Sequence, residues 1–182
     1  MTSILKVDNL QDASGTGTPY ITGAVLQVKY FQLTTSQIET YSSANADQAV
    51  SNFTVNITPK SSSSIIKLEA QLFHESANVP WSSMFFFFRD STKLANTEPS
   101  PSSRNIGIAS ASISYQNEAA TTPEMLHMTY FDSPNSTSAI AYKLGYRTAS
   151  TNNLFINRTI TDGTDNSHER GVSFISATEI GG

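Results

Sequence analysis

The chain has 182 residues and a formal charge of −4; only 14% of its side chains are charged, while Ser and Thr fill 48 positions. One packed core fits that length, and 38% hydrophobic residues with ten Phe, seven Tyr and one Trp are enough to build it. The acidic balance speaks against a nucleic-acid surface, the absence of Cys removes disulfides, thiolate catalysis and Cys-ligated zinc, and no apolar run approaches the roughly 20 residues of a membrane helix.

The chain divides at about residue 24. Residues 3–10 are apolar at Ile4, Leu5, Val7 and Leu10, and the Gly- and Thr-rich stretch 13–19 that follows cannot hold a regular element. Residues 1–23 therefore read as an extended arm that docks on something else. They do not read as a signal peptide, because no long apolar stretch precedes Lys6 and Asp8.

From residue 24 to 182 the pattern has a period of two. Phe53, Val55 and Ile57 alternate with polar residues in 52–58; so do Ile66, Leu68, Ala70 and Leu72 in 65–73, and Ile140, Tyr142, Leu144 and Tyr146 in 139–147. The last run, 171–180, sets Val172 and Phe174 against Ser173. Further strands are expected at 25–33, 84–89, 106–115, 125–131 and 154–161, with turn-rich segments between the runs. Residues 36–50 show only a poor helical spacing and read as a loop. Nine such runs imply an all-β chain, an antiparallel two-sheet β-sandwich of jelly-roll type.

One run breaks the alternation. Met84-Phe85-Phe86-Phe87-Phe88 is apolar on both faces, although a sandwich strand has to bury only one. Either a loop covers its outer side or another subunit does. The second reading puts Phe85 or Phe87, together with Tyr142, at a subunit contact.

Catalytic and metal-binding patterns are missing. His74, His127 and His168 have no ligand-type spacing, no Gly-x-Ser-x-Gly occurs, and Gly15 and Gly17 lead into no phosphate loop. Asp162 to Asn166 offers closely spaced oxygens but lacks the ligand count of a calcium loop, so an Asp-Gly hairpin turn is the simpler reading. The four Asn-x-Ser/Thr sequons at Asn52, Asn56, Asn135 and Asn157 are close to chance in so Asn- and Ser-rich a chain. Trp81, Tyr142 and Tyr146 fit either a sugar-stacking platform or the core. No catalytic residue, metal or cofactor is expected.

Several segments, in order, resemble small virion proteins of tailed phages. They are Ser3 to Asp12, Thr58-Pro59-Lys60-Ser61-Ser62-Ser63-Ser64, and Phe131-Asp132-Ser133-Pro134 leading to Ala141-Tyr142-Lys143-Leu144. Ile156-Asn157-Arg158, Ser173-Phe174-Ile175 and Glu179-Ile180 complete the series. The resemblance implies a trimeric jelly roll, similar in architecture to the tumour-necrosis-factor head, displayed on the virion surface without enzymatic activity. A tail-fibre or receptor-binding module for host attachment is the expected role, with capsid decoration as the alternative and a free lectin as a third. The expected partners are two further copies of itself, other virion proteins through Ile4, Leu5, Val7 and Leu10, and a host glycan or protein at an unassigned site. Neither nucleic acid nor membrane insertion is expected.

Overall fold

The computed structural model describes residues 21–77, 82–95, 104–111 and 120–182. They form β1 (Val25–Leu33), β2 (Gln37–Tyr41), β3 (Gln48–Ile57), β4 (Ile65–Ser76), β5 (Ser83–Arg89), β6 (Thr92–Lys93), β7 (Ala109–Ser110), β8 (Glu124–Asp132), β9 (Ile140–Thr148), β10 (Asn152–Ile156) and β11 (Ser173–Ile180). The described residues contain no α-helix.

Two antiparallel sheets pack face to face. In the first, β11 lies between β1 and β4, and β8 pairs with the opposite edge of β4. Twelve-residue β4 takes two partners in succession along one edge, β11 up to Gln71 and β10 from His74 onward, and β2 extends the sheet past β10. The second sheet runs β3-β9-β5-β6, with β7 also on β5. The chain passes from sheet to sheet as it goes, and the two packed antiparallel sheets make the β-sandwich that the alternation predicts.

The inward faces follow the hydrophobic period. Phe53, Val55 and Ile57 of β3, Ile66, Leu68, Ala70 and Leu72 of β4, and Ile140, Tyr142, Leu144 and Tyr146 of β9 are all buried in one core. Burying each larger side chain contributes roughly 1.5–3 kcal/mol.

Four expectations are corrected. In β11 the phase is the reverse: Ser173, Ile175, Ala177 and Glu179 point inward, while Val172 is exposed and Phe174 half-exposed. Residues 36–50 are not a loop, since β2 pairs with β10 there and β3 begins at Gln48. The run 154–161 stops as a strand at Ile156, because Asn157 takes a positive φ of 58°. Of the run 106–115 only Ala109–Ser110 is strand among described residues, and 112–119 lies outside them.

Asn157 sits where β4 changes partner. Its backbone N–H donates to the Phe73 carbonyl at 2.9 Å, and its side-chain amide donates to the carbonyls of Leu33 and Thr35. Ser173 donates to Asn157 Oδ1 at 2.6 Å and accepts from the Phe73 N–H at 2.9 Å. Gly171 completes the junction, since a Cβ there would overlap the Phe73 ring. Asn157 and Ser173 thus supply the Phe73 backbone N–H and carbonyl with the partners that a ladder would otherwise give.

Candidate interaction surface

The Phe run is buried on both sides, and this chain does the covering. Phe85 and Phe87 face the core with no exposed surface, as does Tyr142, so the expected subunit contact at Phe85, Phe87 and Tyr142 is corrected: these rings are already packed within one chain. Phe86 points to the outer side of the second sheet and is buried as well. Its ring lies over Gly145 of neighbouring β9, where a Cβ would overlap it, and Lys93 Nζ sits 4.2 Å above the ring centre. Asp47 anchors that ammonium at 2.9 Å, and Phe88 meets Phe86 edge to face at 5.0 Å.

The polar residues singled out in the sequence hold the structure together. His74 is buried against Phe85, ring centres 5.2 Å apart, with neither nitrogen hydrogen-bonded among the described residues; burial lowers its pKa to about 4, so the ring is neutral. His127 projects outward on β8, and His168 bonds Asp165 at 2.7 Å. Asp162 is clamped by Arg158 at 3.1 Å and by Arg170, so two guanidinium groups stand where a cation would have to sit. Nor is Asp162-Gly163 a tight hairpin: it lies within a long loop closed by the Arg158–Arg170 bridge. Tyr146 accepts from Asn152 and donates to Ser83 in the core, Asn157 is buried at the sheet junction, and Asn52 bonds Gln37. Ile4, Leu5, Val7, Leu10 and Trp81 lie outside the described residues.

Sequence reasoning missed Glu179, which has no exposed surface. Gln27 Nε2 reaches it at 2.6 Å, the Lys60 N–H at 2.6 Å and Ser64 Oγ at 2.7 Å. Burial alone would raise its pKa; the donors, including the Ser61 amide, outweigh that and hold it below the ordinary glutamate value. The carboxylate thereby ties the Ser-rich loop 58–64 to β1 and β11. Its signal in the sequence is a lone Glu at an inward position of an otherwise small and apolar strand.

The outward face of the first sheet carries the exposed apolar side chains. Val28 and Tyr30 on β1 are 53% and 73% exposed, and Phe131 on β8 is 58% exposed. Met125 and Ile65 add to the β8 side. Between these margins run Thr178, Ser176 and half-buried Phe174 of β11 and the paired charges Lys67 and Glu69 of β4 at 2.8 Å, while Thr129 stands beside Phe131 on β8. Three strand spacings, roughly 14 Å, separate the two apolar margins. No family model matches the chain, and comparison with curated proteins finds no relative.

Proposed function

We propose that the protein is a non-enzymatic structural component of a phage particle, a homotrimer that faces outward as a fibre or receptor-binding module. Residues 1–23 would attach it to other virion proteins, and residues 24–182 would form the displayed sandwich. The ordered segment resemblance supports the setting. The observation that carries the assembly is the divided apolar face of the first sheet.

Val28 and Tyr30 line one margin of that face and Phe131 with Ile65 the other. A contact that joins two different patches is heterologous, and it closes into a ring when the rotation allows. Docking the β1 margin of one copy on the β8 margin of the next uses each patch once per subunit. The Lys67 and Glu69 charges between the margins offset each other, so this pair adds little repulsion between like copies.

Light scattering of the purified chain tests this reading: the expected mass is about three times 19.7 kDa. Replacing Tyr30 and Phe131 together by Ser should return it to the monomer with its melting temperature little changed. A monomeric wild type at micromolar concentration, or a chain missing from purified particles by mass spectrometry, would overturn the proposal. Copies per particle then separate a fibre, with few, from a capsid decoration, with many.

A further inference from the structure

One end of the sandwich holds both the start of β1 and the end of β11. The Gly23 N–H donates to the Gly181 carbonyl at 2.6 Å, and the Gly181 N–H donates to the Ala24 carbonyl at 2.9 Å. Ile21 is thereby set beside the end of β11, close enough that a Cβ on Gly181 would overlap the Ile21 carbonyl. The place where residues 1–20 join the sandwich is fixed.

An apolar row crosses the first sheet at this end. Val25 of β1 pairs with Ile180 of β11, and Ile180 pairs with Ile65 of β4, so the three side chains share one face. That face is the outer one, because the next residues, Glu179 and Ile66, have no exposed surface and point inward. Val25 is 61% exposed, Ile21 55% and Ile65 37%, with Ile180 half-buried between them. The row is two strand spacings wide, roughly 10 Å. It contains no charged side chain, and Tyr30 and Phe131 lie farther along the sheet, level with Ser176 and Lys67.

Residues 1–20 join the chain in this row, at Ile21, and carry four apolar side chains within seven residues: Ile4, Leu5, Val7 and Leu10. Residues 11–20 are a link with a reach of up to about 33 Å, well over the width of the row. A segment on such a link meets the row at an effective concentration in the millimolar range. Another copy, or another protein, meets it only at its concentration in solution. Proximity therefore favours the chain's own segment, and contact removes apolar surface of both sides from water.

We infer that in the free protein Ile4, Leu5, Val7 and Leu10 pack on the row of Ile21, Val25, Ile180 and Ile65 of their own chain. In the proposed virion role the same four side chains hold the particle. The row is then an autoinhibitory seat: it covers them before assembly, and a particle surface attaches by displacing them from it. That displacement rests on the proposed attachment through residues 1–23; the seat does not.

The chain has no Cys, so an engineered pair reports a single contact. Leu5→Cys is combined with Ile65→Cys on the row or, as a control, with Asn56→Cys, exposed on the outer face of the second sheet. Thr58, two residues on, bonds Gln27, so the control lies at the same end of the sandwich. Under mild oxidation the Leu5–Ile65 pair should close within one chain about tenfold or more faster than the control. In the full chain, Leu5→Ser/Val7→Ser should uncover the row and raise the fluorescence of the apolar dye ANS several-fold at unchanged mass. Equal closing rates, disulfides formed only between copies, or unchanged dye binding would overturn the inference. Such a result with a trimeric, particle-borne protein removes the seat alone. A seat found in a chain missing from particles removes the virion reading and leaves the seat.

Discussion

Tyr142 of β9 donates its hydroxyl to Asp132 Oδ2 at 2.6 Å, joining the inner face of one sheet to the last residue of β8 in the other. Arg89 Nη1 completes the group, at 3.1 and 3.2 Å from the two carboxylate oxygens. Burial, and then the bond to Asp132, raise the Tyr142 pKa, so the phenol remains a donor at any working pH. Tyr142→Phe keeps the ring in the core and removes only the donor. It should lower stability by about 1.5–3 kcal/mol, the usual worth of a bond to a charged group. Chemical denaturation at neutral pH measures it; an unchanged midpoint would show that Arg89 alone satisfies Asp132.

Glu179 makes the fold acid-sensitive in a defined window. Its folded pKa lies below the unfolded value near 4.5, so its contribution is complete above about pH 4.5 and is lost as pH falls through the lowered folded value. Glu179→Gln removes that titration. The variant should be less stable at neutral pH, because three short charge-assisted bonds weaken, and should show a shallower fall in melting temperature between about pH 5 and 3.

His74 acts at higher pH. Its pKa is lowered from 6.5 to about 4 by burial, so the unfolded chain takes up a proton that the folded chain refuses. Stability is then complete above about pH 6.5 and declines as pH drops toward 4, by on the order of 3 kcal/mol. His74→Leu should abolish this part of the decline while leaving the Glu179 part below it. Melting curves at pH 7, 6, 5 and 4 resolve the two; a variant that declines in parallel with wild type from pH 6.5 would remove His74 from the account.

Gly145→Ala places a methyl group where the Phe86 ring lies. The ring must lift off β9, and the Lys93 ammonium loses its aromatic partner. An overpacked site of this kind costs roughly 1–3 kcal/mol. A companion Phe86→Leu change should recover part of the loss, which thermal denaturation of the single and double variants would show.

The fold was legible wherever strands put apolar residues inward, as in β3, β4 and β9. It was misread in β11, where Ser173 and Glu179 are buried because donors and acceptors from other segments meet them: Phe73, Lys60 and Ser64 lie 100 and more residues away, and Asn157 lies 16 away. β2 escaped notice because its five residues include Gln37 and Glu39, which bond Ser51 and each other at the margin instead of entering the core. The two-faced Phe run correctly signalled burial on both sides. It could not show the cover, since Gly145 and Lys93 are brought over Phe86 only by strand pairing.

The position of β11 bears on how the chain is made. β11 lies between β1 and β4, so β1 has no partner in its sheet until β11 is made and Val25 meets Ile180. On the ribosome, the strands already synthesised leave the first sheet with an open slot at its centre, flanked by two unpaired edges. Closing it is among the longest-range pairings the chain offers, and such pairings form slowly. Until β11 is made, the facing edges of β1 and β4 are therefore open in the nascent chain, and open strand edges of this kind are where misassembly starts.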